Sequence, residues 1–397
     1  MPRGRSEGAV ALGKAATEEK IIDAAVHLFS KKWYGTVSVA EICRAAGLSN
    51  GVFYRYFDGK EALFRSILGR VLEQIRTKIE GIGTAAPGTA ASLRDFANTI
   101  MRIPEDDPEL VSVFREGQYR LLEYERQLVA IYTRSLSAAL GREVGLPEYL
   151  FALGGMRFCA IRRFLYDQPN DLGSVVAILQ GGLFRGLGFD AAKVFGGVAT
   201  PLPVALDEDA RARLLRFGKK LFGENGYFET NIHQITDAAG LSVGAFYVYF
   251  NSKETFYSVL IEQVGREVRS FIARNLGAGP AGADLNRLER ELRGLWLWLV
   301  YLSIDKDCYG IVREAEFVLP AAVRDYYGAF VAGYRKNPEG NATPGSGIDD
   351  STAIEFLLGI AHYAGIEVAF ERSITNARAA VESLGAYLSR GFADFLR

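Results

Sequence analysis

Residues able to do covalent or metal chemistry are few in this chain of 397, and they are scattered. Cys43, Cys159 and Cys308 form no CxxC pair, so neither a disulfide framework nor a zinc site is indicated. His27, His233 and His362 are too few and too far apart for a multi-histidine metal centre. There is no GxSxG, no phosphate-binding glycine loop, no dinucleotide fingerprint and no HExxH. Nothing alternates in the way an α/β fold requires. The expectation is a protein that is not an enzyme and holds neither cofactor nor metal. A redox role for Cys159 or Cys308 has little behind it, because lone cysteines mostly pack as small hydrophobes.

Chemistry of another kind is concentrated twice. Residues 45–61 read AAGLSNGVFYRYFDGKE, and residues 238–254 read AAGLSVGAFYVYFNSKE. At an offset of 193 they agree at twelve of seventeen positions, where roughly one agreement is expected from ordinary residue frequencies. The register continues upstream through Phe29/Phe222, Tyr34/Tyr227 and Ile42/Ile235. A fainter echo downstream pairs Val113-Phe114-Arg115-Glu116 with Ile311-Val312-Arg313-Glu314 at an offset of 198. A whole unit has been duplicated, with small insertions between the copies.

The elements that must carry these residues are helices. Ile21, Ile22, Ala25, Leu28 and Phe29 recur at helical spacing, as do Leu214, Leu215, Gly218, Leu221 and Phe222. Val39, Ile42 and Ala46 form the buried stripe of a second, short helix. Gly47 permits a sharp turn, and Ser49 is suited to cap a third helix, from about Asn50 to Phe57. Two short helices joined through glycine and braced by a longer one make a helix-turn-helix. A fourth helix opens at Lys60-Glu61 and carries Leu63, Phe64, Ile67, Leu68 and Val71 onward.

The run from Thr36 through Ala45-Ala46-Gly47-Leu48-Ser49 to Tyr54-Arg55-Tyr56-Phe57 and Lys60-Glu61 resembles the DNA-binding signature of the TetR family, and it occurs twice. The resemblance covers about 50 residues of each half. It implies an all-α chain of two TetR-like subunits in tandem, each a helix-turn-helix domain followed by a helical ligand-binding and dimerisation domain. The boundaries expected are a flexible tail at 1–16, a first reader at 17–64, a first regulatory domain at 65–190, a linker at 191–207, a second reader at 208–257 and a second regulatory domain at 258–397. By the same resemblance Asn50, Gly51 and Val52 face base edges, Tyr54 and Lys60 hold phosphates, Thr36 or Ser38 together with Arg55 adds backbone contacts, and Ser49 belongs to the DNA-binding set. Their counterparts are Ser242, Val243, Gly244, Tyr247 and Lys253, while Phe53, Tyr56 and Phe57 are core. The basic Pro2-Arg3-Gly4-Arg5 is either a minor-groove arm or a solvated tail.

The copies are not equivalent. Residues 1–60 hold nine Lys or Arg against six Asp or Glu, whereas residues 207–253 hold six of each. Because phosphate neutralisation supplies much of the affinity, the first reader is expected to bind DNA more strongly. The second either reads a different half-site, giving a non-palindromic operator, or has lost most of its DNA binding.

In the regulatory parts, Phe114, Tyr119 and Phe158 in the first half and Trp296, Trp298, Phe317 and Tyr363 in the second are the aromatic candidates for an effector pocket, set against ordinary core packing. Arg115-Glu116 and Arg313-Glu314 either face a pocket mouth or form structural ion pairs. The resemblance places dimerisation on the last two helices of each half, about 147–186 and 352–396. The halves then form an intramolecular pseudo-dimer, or two chains pair. Composition is that of a globular protein, 49% hydrophobic and 23% charged with a net charge of −1. No apolar run spans a bilayer and the start lacks a signal-peptide core, so a cytoplasmic location is expected. The functional expectation is a repressor released from operator DNA by a small, largely apolar effector. The alternative is a ligand-binding or protein-interaction scaffold whose readers no longer read.

Overall fold

The computed structural model describes residues 4–82, 86–197, 199–201, 209–277, 284–368 and 376–397, and among the described residues there are helices and turns but no strand. The first half comprises α1 (Gly4–Lys31), α2 (Val39–Ala45), α3 (Asn50–Phe53), α4 (Lys60–Ile79), α5 (Ala90–Asp106), α6 (Pro108–Arg120), α7 (Leu122–Leu140), α8 (Leu146–Tyr149), α9 (Gly155–Tyr166), α10 (Leu172–Gly181) and α11 (Ala191–Phe195). The second comprises α12 (Ala210–Glu229), α13 (Ile232–Ala239), α14 (Val243–Tyr249), α15 (Lys253–Leu276), α16 (Arg287–Ile304), α17 (Asp307–Val318), α18 (Pro320–Tyr334), α19 (Asp350–Ile366) and α20 (Ala377–Arg390). The expectation of an all-α chain with two tandem units is met.

Two features depart from the expected boundaries. The flexible tail is helical from Gly4: residues 4–20 are rich in alanine and other good helix formers, with no proline to interrupt them. Pro2 and Arg3 of the basic arm lie outside the described residues. The expected linker opens with α11, whose Val194 is fully buried. Arg293 Nη1 donates to the carbonyls of Lys193 and Gly196, both at 3.0 Å, which ties the end of α11 to α16. Residues 198 and 202–208 of the linker lie outside the described residues.

The chain divides into two compact units, residues 1–80 with 102–132 and residues 81–101 with 133–397. In the first, the predicted stripes converge: Ile21, Ala25, Ile42, Phe53, Leu63, Phe64, Ile67 and Leu68 are fully buried. Phe29 meets Phe64 edge-on at 5.3 Å between ring centroids. Apolar side chains at helical spacing have no other way to leave water in so small a domain.

Within the second unit, the last helices of the two halves pack on each other as an intramolecular pseudo-dimer. The crossing lies at Gly154 and Gly359, where a Cβ on Gly359 would stand 2.5 Å from Gly154 O and 2.6 Å from Phe158 Cβ. Each glycine ends a matching tetrapeptide, Phe151-Ala-Leu-Gly154 and Phe356-Leu-Leu-Gly359, and Phe151 meets Phe356 edge-on at 5.7 Å. Beside the crossing, Arg162 Nε donates to Glu355 Oε2 at 2.6 Å with both side chains 4% exposed. Burial pushes the Glu355 carboxyl above the ordinary carboxylate range. The caps of α10 and α19 exchange bonds, Asp171 N donating to Thr352 Oγ1 and Asp349 N to Ser174 Oγ, each at 2.8 Å.

Candidate DNA-binding site

Both readers are built by the same local rules. In the first, Ser38 caps α2: its hydroxyl accepts from Glu41 N at 3.1 Å, and the Glu41 carboxylate accepts from Ser38 N at 3.3 Å. Asn231 and Gln234 make the corresponding box on α13. The turn after each of these helices needs a left-handed residue, and Gly47 (φ 66°) and Gly240 (φ 65°) supply it. The chain then doubles back, with Leu48 N donating to Cys43 O at 2.8 Å and Leu241 N to Thr236 O at 2.9 Å.

The recognition helices differ in length. α14 runs seven residues and is capped by Ser242, whose hydroxyl accepts from Ala245 N at 3.2 Å. α3 closes only one turn, shorter than the expected Asn50–Phe57, and Tyr54–Tyr56 continue it as a turn. Ser49 stands at its cap position without the expected side-chain bond. Phe53 and Phe57 are buried as predicted, as are Phe246 and Phe250.

On the outer face, Ser49, Asn50, Gly51, Tyr54 and Arg55 are exposed and Val52 is half-buried. Ser242, Gly244 and Tyr247 are exposed and Val243 is half-buried. The two tyrosines stand out alike, Tyr54 at 58% and Tyr247 at 51% exposure. Thr36 is exposed but its hydroxyl donates to Trp33 O at 2.8 Å, and Ser38 is engaged in its cap.

The lysines find partners within the fold. Lys60 Nζ donates to Tyr34 O at 2.8 Å and Val37 O at 2.7 Å, and lies 4.3 Å from the centre of the Tyr34 ring. Lys253 repeats this on Tyr227 O (2.9 Å), Thr230 O (3.0 Å) and the Tyr227 ring (4.1 Å). Burial lowers the pKa of both ammonium groups. Each lysine is therefore turned inward onto the loop that joins the bracing helix to the helix-turn-helix, where carbonyls in a short connection have no helical partners. These bonds within the fold account for the presence of a lysine in both copies.

The carboxylate echo found in sequence meets the same loop. Glu116 of α6 accepts from Tyr34 N (3.0 and 3.3 Å), and Glu314 of α17 accepts from Tyr227 N at 2.6 Å. In each copy the glutamate anchors the reader's turn to the next layer of helices. No sequence pattern announced it beyond the repeat itself.

The aromatic candidates do not gather around one space. Phe158, Trp298 and Tyr363 are buried in a packed seam around His362, whose Nδ1 lies 3.0 Å from Tyr327 Oη. Phe158 meets Tyr327 at 5.2 Å, and Trp298 Nε1 donates to Ala361 O at 3.0 Å. Phe114 is buried and Tyr119 half-buried on α6, Phe317 is half-buried on α17, and Trp296 packs on Phe195 at 5.2 Å. The buried thiols of Cys159 and Cys308 have pKa values well above normal, the reverse of a reactive cysteine.

The profile of the bacterial regulatory proteins of the tetR family matches residues 21–67 and 214–259, which are the two readers. Over 111 residues, 28% of this chain and 38% of the relative, the chain is 41% identical to an uncharacterized HTH-type transcriptional regulator, YuxN, of Bacillus subtilis. It is 25% identical over 114 residues, 29% of this chain and 56% of the relative, to the HTH-type transcriptional repressor KstR2 of Rhodococcus jostii. The chain thus spans between 38% and 56% of the length of these curated relatives. A solved TetR-family regulator from Syntrophomonas wolfei aligns with 45% of this chain and 92% of its own, at 19% identity and a TM-score of 0.38.

Proposed function

We propose, for a chain that belongs to the TetR family of bacterial regulatory proteins and carries that family's DNA-binding region twice, that it is a sequence-specific transcriptional regulator with both readers in one polypeptide. Residues 17–64 and 208–257 are the readers on this reading, and 65–190 and 258–397 the regulatory parts. The observation that carries it is the shared build of the two units. Two helix-turn-helix units, alike in turn, anchor and core, each present an exposed tyrosine on the recognition segment. Asn50, Gly51 and Val52 in the first, with Val243 and Gly244 in the second, would meet base edges, and Arg55, exposed between the buried Phe53 and Phe57, would join them in place of the expected backbone contact. Tyr54 and Tyr247 would meet phosphates.

Regulation on this reading is repression relieved by a small, largely apolar effector bound among the regulatory helices. Glu116 and Glu314 support it, because a shift of α6 or α17 is felt directly at the turn that orients each reader. A ligand that favours one setting of those helices then changes DNA affinity by population shift. The test is a gel shift with footprinting on DNA upstream of the chain's own gene and on a genomic fragment library, at two salt concentrations. The wild type is compared with Tyr54→Ala and Tyr247→Ala. A salt-sensitive footprint weakened by both variants is expected. Binding no better than to random DNA would sink the regulator reading in favour of a scaffold.

A further inference from the structure

Within the closely matched stretch of 45–61 and 238–254, the two readers differ on the recognition segment itself. At the offset of 193, Asn50 becomes Val243, Arg55 becomes Val248 and Arg44 becomes Asp237. Val248 is 76% exposed, more than either reader's tyrosine, and Tyr249 beside it is 43% exposed. An isolated exposed valine needs no explanation. Here it occupies the position of an exposed arginine, on a helix longer and better capped than its counterpart.

Decay is a poor account of this face, because positive charge reappears next to it. Glu18 and Asp23 of the first bracing helix are replaced by Arg211 and Arg216 of α12, both exposed. The Arg211 guanidinium lies 5.6 Å from the ring of Phe250, the residue that ends α14, and Arg213 donates to Ala239 O at the turn before α14. Charge has moved from the recognition helix to the helix that braces it. That division suits phosphate contacts from α12 and apolar contacts from α14.

In the major groove, the one apolar feature of a base edge is the thymine methyl, whereas Asn and Arg read adenine and guanine by paired hydrogen bonds. We propose that the second reader recognises thymine methyl groups through Val248 and Val243. The operator then joins an A·T-rich half-site to a half-site read through Asn50 and Arg55. This rests on the regulator reading and specifies its DNA.

The test uses the full chain and an operator fragment found by footprinting, with thymidine replaced by deoxyuridine in one half-site at a time. Removing one contacted methyl should weaken binding about 4-fold, the equivalent of one buried CH2 group. The loss should occur in one half-site only, and Val248→Ala should narrow the difference between the thymine and uracil forms of that half, with Val243→Ala and Val248→Ala together abolishing it. Val248→Arg should shift preference there from thymine toward guanine, and both Val248 variants should melt like wild type because the side chain is exposed. Indifference to uracil in both half-sites, or sensitivity only in the half-site weakened by Arg55→Ala, would overturn the proposal. A footprint over one half-site that Tyr54→Ala abolishes and Val248→Ala leaves intact overturns this inference alone. No specific footprint at all removes the regulator reading as well.

Discussion

The two readers share one set of scaffold contacts and differ on their recognition segments. Common to both are the left-handed glycine (Gly47, Gly240), the inward lysine (Lys60, Lys253), the aromatic it covers (Tyr34, Tyr227) and the glutamate that holds that aromatic's backbone (Glu116, Glu314). Each contact in that set satisfies a backbone group or fixes a turn, so a change in one copy destabilises that copy whatever DNA it meets. The exposed positions carry no such penalty, and there the copies part: Asn50 and Arg55 against Val243 and Val248. The bracing helices differ as well. Lys219 of α12 bonds to Glu267 Oε2 at 2.7 Å and also to Asp305, and those carboxylates hold its ammonium above the ordinary lysine range despite burial. Val26 occupies the matching place in the first copy and is buried without charge.

The largest effect that separates the copies is expected at that lysine. Lys219→Met leaves Glu267 and Asp305 facing each other without a cation and should cost about 3 kcal/mol in denaturant unfolding. Val26→Met should cost less than half as much, and equal losses would mean that the ion cluster does not distinguish the copies. Next come changes that should act alike in both halves. Lys60→Met and Lys253→Met each remove two bonds to buried loop carbonyls and should each cost about 2 kcal/mol. If instead they leave stability unchanged and reduce the salt dependence of DNA binding, the lysines hold phosphates after all.

Arg55→Ala should weaken DNA binding by about 1–2 kcal/mol through loss of a base contact. Val248→Ala should weaken it less, with no change in salt dependence, as a titration of affinity against salt will show. The smallest contrast lies at the caps. Ser242→Ala removes a hydroxyl that accepts from Ala245 N and should cost about 1 kcal/mol of stability. Ser49→Ala should be close to neutral, since Ser49 makes no such bond. Matched losses at the two serines would show that α3 is capped in solution as α14 is.

Much of this was legible in the chain before any coordinate. Duplication, helical class, helix-turn-helix and the buried aromatics all rest on spacing within about 50 residues, where side-chain period and turn chemistry are local properties. What spacing could not supply was direction. Lys60 follows Tyr54 by six residues in the signature, yet it points back across 26 residues to Tyr34 O, because carbonyls of a short loop compete for it. Glu116 and Glu314 were visible as an echo, but their role depends on bonds that span 82 and 87 residues. The aromatic candidates were legible as apolar, but only packing decides which of them share a seam, as Phe158, Trp298 and Tyr363 do around His362. The seam between the halves is the clearest case. Two matching tetrapeptides ending in glycine mean nothing along the chain, and become a helix crossing only when Gly154 and Gly359 are brought within backbone contact. Local pattern determines which helices exist and which face they hide. Long-range contact alone determines what each polar group finally bonds, because that is settled by whichever partner arrives when water is excluded.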